Sequence, residues 1–366
     1  MRKLLFFFGL ILVLAGVIWV AQLEANGRQV LVNMRFIDRT GKVVIRGNFD
    51  GLGPFAEGLA MVRVGGKIGY LDKQGHLAIP PQFTDGRDFS EGLAAVQAGG
   101  KWGYINGAGQ MVIPAQLDNA RSFAEGLAAV SQNYRKSFID KEGKEVFSLP
   151  PPMLALGVGK FSEGLARVSA SGKEGYVDKT GKLVITLQFT SAEDFSEGLA
   201  GVQVDGKWGY VDRTGNLVIP AQFQRTDRFS EGLALVEQDQ DLFYIDKSGK
   251  VVIKSNFLRG KGFSEGLAAV QVKQPQGRDQ WGYVDTTGMV VIAPRFNGAE
   301  GFHEGLARVM TGSMRVYAYI DRAGKVVIQQ PMQWADERFS EGLARVAETR
   351  IIGGRGRLGP VPAPKK

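Results

Sequence analysis

The sequence predicts an all-β protein, a tandem array of about nine three-stranded antiparallel meander units of ~34 residues, and three observations predict it. Phe55, Phe89, Phe123, Phe161, Phe195, Phe229, Phe263, Phe302 and Phe339 each stand two residues before a Glu-Gly-Leu tripeptide, at spacings of 34, 34, 38, 34, 34, 34, 39 and 37. Short alternating apolar runs between them are bounded by turn residues. The 50 Gly and 14 Pro, with no sustained 3.6-residue pattern, exclude long helices.

The best-preserved copy shows the unit. After Phe195-Ser196-Glu197-Gly198, Leu199 to Val204 reads as a first strand, Trp208 to Asp212 as a second and Leu217 to Phe223 as a third. Asp205-Gly206 and Asp212-Arg213-Thr214-Gly215 supply the turns, since Asp bonds the backbone ahead of it and Gly accepts positive φ. Ala200, Val202 and Val204 lie on one face of the first strand, while Leu199, Trp208 and Tyr210 make the other face apolar too. A sheet apolar on both sides needs cover on both sides, which stacked units provide. Connections of about eight residues, such as Gln224 to Glu231, recross to the next unit.

Two columns recur in register. An aromatic follows each central dipeptide: Phe36, Tyr70, Tyr104, Phe138, Tyr176, Tyr210, Tyr244, Tyr283 and Tyr319. Such a column could stack sugars or bases, but a ring kept in place nine times is what a continuous core demands. The glutamates Glu57, Glu91, Glu125, Glu163, Glu197, Glu231, Glu265, Glu304 and Glu341 are nine equivalents, not the one differentiated pair that glycoside hydrolysis needs. They are expected to accept backbone N–H bonds.

Lys101-Trp102-Gly103-Tyr104-Ile105, Lys207-Trp208-Gly209-Tyr210-Val211-Asp212 and Trp281-Gly282-Tyr283-Val284-Asp285, with the recurring Phe-Ser-Glu-Gly-Leu-Ala, resemble the bacterial WG, or KWG, repeat family. The resemblance covers about 315 residues. Six copies depart from Trp-Gly: Met34-Arg35, Ile68-Gly69, Lys136-Ser137, Glu174-Gly175, Leu242-Phe243 and Tyr317-Ala318. Membership implies a β-rich repeat module, often in exported bacterial proteins, and no shared set of catalytic residues.

The array spans residues 30–346, opening on a second strand at Leu31 to Asp38 and closing on a lone first strand at Leu343 to Val346. Counted from the second strand, nine whole units form an open β superhelix; counted from the first, one unit is split between the ends, as in a closed propeller-like ring. Nine blades exceed the usual 4 to 8 of a propeller, so the open solenoid is the expected form and the ring the alternative.

Residues 1–25 read as a signal peptide or an N-terminal membrane anchor. Met1-Arg2-Lys3 precedes an uncharged run from Leu4 to Leu23, about the length that spans hydrocarbon. No Cys follows Leu14-Ala15-Gly16, which excludes lipoprotein processing. The chain is therefore expected to be exported, periplasmic or on the extracytoplasmic face of the cytoplasmic membrane. Residues 347–366 carry Arg350, Arg355, Arg357, Lys365 and Lys366 against Glu348 alone; this Gly/Pro-rich basic tail is expected to be disordered and could meet an anionic surface.

No cysteine is present, which excludes thiolate chemistry and Cys-based metal sites. His76 and His303 occupy slots filled by Lys and Ser in other copies. No catalytic residue, cofactor or metal is expected. The residues before the anchor Phe (Pro54, Asp88, Ser122, Lys160, Asp194, Arg228, Gly262, Gly301, Arg338) form no stripe of one sign, which argues against nucleic acid. Specific function is expected where copies gain residues: around Leu149 to Leu154, in the turn from Lys273 to Gln280, and between Met310 and Trp334. Candidate interaction residues are Pro151, Pro152, Met153, Leu154, Gln276, Arg278, Asp279 and Trp334. The expected function is a non-enzymatic binding or scaffold surface for a protein or envelope polymer. The alternatives are a carbohydrate-active enzyme using Glu193, Asp194, Asp239 or Asp241, and a module that self-associates through its end strands.

Overall fold

The computed structural model describes residues 28–150, 158–254, 256–312, 316–332 and 334–352, together with the short strands Val13–Leu14, Val17–Ile18 and Glu24–Ala25. Nine small antiparallel sheets follow one another as blades. In the best-preserved copy, Ser191–Ala192, Leu199–Val204, Lys207–Asp212 and Leu217–Phe223 lie side by side in that order. The three longer strands match those expected from turn chemistry.

The short fourth strand comes from the connection between units. Thr190 and Glu193 donate to the carbonyls of Gln203 and Gly201, so the segment from Thr190 onward is the first arm of a hairpin rather than an unpaired crossing. Its tip is Ser196-Glu197-Gly198-Leu199. Ser196 and Leu199 exchange backbone hydrogen bonds, and φ is +55° at Glu197 and +88° at Gly198, the two positive values of a type I′ turn.

The glycine of Trp-Gly has a steric cause. In the regular blades the third strand bulges over the second: Trp208 faces Phe223 and Tyr210 faces Ile219, with Gly209 beneath the step between them. A Cβ on Gly209 would lie 2.5 Å from the Ile219 carbonyl oxygen and 2.8 Å from the Ala221 nitrogen. Gly69, Gly103, Gly175 and Gly282 sit under the same step. Where the slot holds a side chain, pairing through it is direct: Arg35 faces Arg46, Ser137 faces Ser148, Phe243 faces Lys254 and Ala318 faces Gln329. The four departures that lose the glycine thus change how the third strand crosses the blade, while Ile68-Gly69 and Glu174-Gly175 keep the step.

Each core lies between neighbouring blades. Leu199, Tyr210, Ile219 and Phe223 of one blade pack against Phe229, Ala234, Val236, Phe243 and Ile245 of the next. Tyr210 is fully buried, its ring 4.8 Å from that of Phe229, and its hydroxyl donates to the Asp227 carbonyl at 2.6 Å. Tyr70, Tyr104, Tyr176, Tyr244, Tyr283 and Tyr319 repeat this bond to the residue seventeen places on. Burial raises each of these phenols above its ordinary pKa. The aromatic column is core.

The array closes. Arg28–Asp38 pairs antiparallel with Leu343–Ile352, from Leu343 opposite Asp38 to Ile352 opposite Gln29. Val43–Arg46 flanks one side of this pair and Trp334–Ala335 the other, completing a ninth blade from the two ends of the array. The arrangement is the propeller-like ring, not the open superhelix that nine blades had favoured. An open array would expose the apolar faces of its split unit; closure buries Met34, Phe36, Ala344, Val346 and Ala347. The closing strand also runs to Ile352, six residues past the boundary at 346 drawn from composition, because Ala347 to Ile352 find partners in residues 29–34. Later residues of the tail lie outside the described residues.

Within the run from Leu4 to Leu23 only Val13–Leu14 and Val17–Ile18, which pair with each other, are described; Val17–Ile18 lies near Gly51–Ala56. Among the described residues, no helix is long and apolar enough to cross a membrane.

Candidate functional site

The ring has two unlike faces. On one, the Ser-Glu-Gly-Leu and Asp-x-x-Gly turns lie together, since the residues that end them, such as Leu93 and Asn106, are paired. The opposite face carries the turns between first and second strands, such as Gly99-Gly100, together with the ends of the third strands.

The glutamates fasten the first face. Each carboxylate accepts the glycine N–H of the neighbouring blade's turn: Glu57 from Gly92, Glu91 from Gly126, Glu125 from Gly164, Glu163 from Gly198, Glu197 from Gly232, Glu231 from Gly266, Glu265 from Gly305, Glu304 from Gly342 and Glu341 from Gly58. The expected backbone bonds exist, but to the next loop rather than the residue's own. All nine glutamates hold φ between +53° and +56°, a cost these bonds offset. Lys73, Lys141, Lys179 and Lys247 add ion pairs to Glu341, Glu91, Glu125 and Glu197. Partial burial opposes ionisation of Glu125, Glu197 and Glu341, yet the lysine and amide bonds outweigh it and hold their pKa values below the usual range. Half-buried His303 also sits here, its pKa lowered by burial and by Arg338; His76 is exposed beside Asp72.

The opposite face collects the irregularities. Leu149 follows a third strand, Lys273–Gln280 replaces a turn between first and second strands, and residues 312–316 join Ala307–Thr311 to Val316–Ile320, all at the same end of their blades. Gln276, Arg278 and Asp279 are exposed there. Pro151, Pro152, Met153 and Leu154 lie outside the described residues. Trp334 belongs to the two-residue strand of the closing blade, where it is half-buried with the Arg345 guanidinium 5.6 Å from its ring centre. Of the candidates within the described residues, Gln276, Arg278 and Asp279 sit on one blade and Trp334 on another.

One blade on this loop face is built differently. Its turn is Asn133-Tyr134, with φ +51° and +64°, and the Tyr134 side chain stands in solvent at 96% exposure. The same position is glycine in Gly65-Gly66, Gly99-Gly100, Ser171-Gly172 and Asp205-Gly206, and Gln240, at φ +72°, in Asp239-Gln240. A tyrosine held left-handed and out of any core is strain without a packing return. Beside it, Lys136 occupies the slot of Trp102 and Trp208, and Phe138 replaces the tyrosine. A cavity of about 100 Å³ here is lined by Asn119, Arg121, Ala129, Val130, Ser131, Lys136, Ser137 and Val158. Sequence reading passed over Tyr134, although an aromatic residue in a glycine turn slot was the available signal.

The carboxylates of the enzymatic alternative do not converge on this cavity: none of Glu193, Asp194, Asp239 and Asp241 lines it. Glu193 is packed between blades, and burial, opposed by Arg228, pushes its pKa up to about 6. Asp239 and Asp241 are exposed at a turn of the loop face. Among the described residues no cluster of three His, Asp or Glu could hold a metal ion.

Among the described residues the most buried charged side chain, Arg345, lies at the closure. Arg345 makes bidentate bonds to Asp336, 2.8 Å at the shortest, and donates to the Leu52 carbonyl of the first blade. Asp88 lies near it; burial, opposed by Arg345, raises its carboxyl to about 6. The signal was an arginine in a slot that is Ala, Gly, Leu or Met in six copies and Arg only at 167, 308 and 345.

These features define a closed, propeller-like repeat protein with one fastened face and one variable face. The chain belongs to the WG-containing repeat family, whose pattern matches residues 34–67, 68–102, 102–135, 175–208, 208–240, 243–274 and 281–313. No curated protein sequence matches it. Among solved structures, it is similar to a crystal structure of a eukaryotic initiation factor, at 12% identity over 75% of this chain and 86% of that one, with a TM-score of 0.51. It also aligns with BamB from Moraxella catarrhalis, at 14% identity over 75% and 94% of the chains and a TM-score of 0.41. The WD40 domain of Neurospora crassa Pan2 aligns at 14% identity over 60% and 84%, with a TM-score of 0.34. At such identity the first likeness is one of fold alone.

Proposed function

We propose that this protein is a non-enzymatic, exported binding or scaffold protein that engages a protein or envelope polymer through its loop face. A repeat ring of this fold suits such a role, because its blades offer a broad surface without committing their shared residues to chemistry. The observation that carries the reading is Tyr134, a fully exposed aromatic kept in a strained turn beside a cavity edged by Arg121 and Lys136. Aromatic and arginine side chains are the usual anchors of recognition surfaces. The inserted turn with Gln276, Arg278 and Asp279 extends the same face.

Tyr134→Gly, the residue that Gly66, Gly100, Gly172 and Gly206 place in this slot, separates function from stability. It is expected to leave the ring as stable or up to about 1 kcal/mol more stable by removing the strain, while cutting capture of crosslinked envelope partners at least tenfold. A variant on the other face, Gln74→Ala, should capture as the native chain does. Undiminished capture by Tyr134→Gly and by Arg278→Ala together would overturn the reading.

A further inference from the structure

We infer that the cavity beside Tyr134 is an oxyanion site, taking a carboxylate or phosphate group of an anionic ligand. The inference rests on the loop-face reading above for its partner and adds the ligand's chemistry to it. Cross-strand register builds the site. Asn119 lies opposite Ser131 and Ser131 opposite Lys136, so the three form one row across their blade. Residues directly opposite share a face, and alternation brings Arg121, two places from Asn119, to that face as well. The Arg121 N–H donates to the Ala129 carbonyl, which sets this arginine in the next row. Val158 of the following blade, buried with Phe138 and Phe161, borders the cavity from the other side.

The lining holds two cations, two hydroxyls and a carboxamide, and no Asp or Glu. Such a set offers donors and positive charge without a counter-ion. In the column that holds tryptophan at 102, 208 and 281, Lys136 is the one cation. The one acid in that column, Glu174, is paired with Arg167 at 3.2 Å, whereas Lys136 and Arg121 have no such partner among the described residues. Carboxylates of the same blade are engaged elsewhere: Asp118 accepts from Lys101 and from the Asn133 N–H, and Glu145 accepts from Arg135. Nor does the connection from residue 150 to 157 carry an acid. Lys136 is half-buried and Arg121 exposed, so a ligand that enters from solvent reaches both. An anion there supplies the missing charge through charge-assisted hydrogen bonds, which are shorter and stronger than neutral ones. The volume of about 100 Å³ is well above the roughly 10–15 Å³ that one water requires. Beyond the Ser131–Lys136 pair come Gln132 with Arg135 and then the Asn133-Tyr134 turn, which places the exposed ring at the loop-face end of the row.

The test titrates the full chain with inorganic phosphate, glucuronate and glucose, followed by calorimetry. Phosphate or glucuronate is expected to bind saturably and glucose not to bind; the tighter of the two anions tells a phosphate source from a carboxylate one. Lys136→Met removes the charge and introduces the residue that position 34 carries in the same column. This variant and Arg121→Gln should each weaken anion binding roughly tenfold, while Lys325→Met on the glutamate face leaves it unchanged. Arg121 is exposed, so its variant carries the test even where Lys136→Met does not fold. Absence of saturable anion binding by the native chain, or unchanged affinity in Arg121→Gln and in folded Lys136→Met, would overturn the oxyanion site whatever Tyr134→Gly does to capture. Anion binding that depends on Arg121 and Lys136, with capture undiminished in Tyr134→Gly and Arg278→Ala, would instead overturn the partner reading and leave a site for a free anion.

Discussion

The carboxylate of Glu341 accepts the N–H of Gly58 at 3.0 Å, joining residues 283 apart in the chain. It is the same bond that joins each blade to its neighbour elsewhere, made this time between the last turn and the first. The repeat motif thus serves as its own clasp.

Glu341→Ala should lose this bond and the Lys73 ion pair while leaving a Cβ at φ +54°, for a loss of about 2 kcal/mol. Glu341→Gly loses the same bonds but not the conformational ease, so it should cost about 1 kcal/mol less. Urea denaturation of both variants checks the order; a glycine variant weaker than the alanine variant would show that strain at this turn is unimportant.

Arg345 and Asp336 form a buried pair on the C-terminal side of the closing blade, and Arg345 reaches across the closure to the Leu52 carbonyl. Arg345→Met leaves Asp336 buried without its partner and should cost about 3 to 5 kcal/mol, with early proteolytic cleavage within the paired segments 29–38 and 343–352. The double variant Arg345→Met, Asp336→Leu should recover most of that loss. Limited proteolysis alongside calorimetry reads both effects.

Stability should pass through a maximum in mild acid. Asp88 and Glu193 are raised to about 6 in the folded protein, so the fold binds their protons more tightly than the unfolded chain does. Lowering the pH from 7 to about 5 therefore stabilises the ring, on the order of 2 kcal/mol in all. Glu125, Glu197 and Glu341 shift the other way; their contribution is present above the ordinary glutamate range and is lost as pH falls through their lowered folded values. Melting temperature against pH should rise and then fall, and Asp88→Asn should flatten the rise.

Gly209→Ala places a methyl group 2.5 Å from the Ile219 carbonyl and should cost about 2 to 3 kcal/mol. Ala318→Gly, in a blade where pairing through that slot is direct, should change stability by no more than about 1 kcal/mol. Comparable losses in the two variants would contradict the bulge as the reason for the glycine.

Strands, turns and the aromatic core are legible in the sequence because each is written locally. Asp205-Gly206 specifies a tight turn by its own backbone, and alternation through Ala200, Val202 and Val204 specifies a strand by its period. The step above Gly209 was not legible, since its cause is a carbonyl ten residues away that only the folded blade brings near.

By itself the sequence determined the unit, its count and the split between the ends, for these follow from turn chemistry and register along one stretch of chain. Only the tertiary structure decided that Leu343–Ile352 meets Arg28–Asp38 and that Glu341 reaches Gly58. Closure depends on the small rotation accumulated from each blade to the next. No single residue encodes that angle; it emerges from nine packed interfaces such as Tyr210 on Phe229, and its sum alone chooses between a ring and an open superhelix.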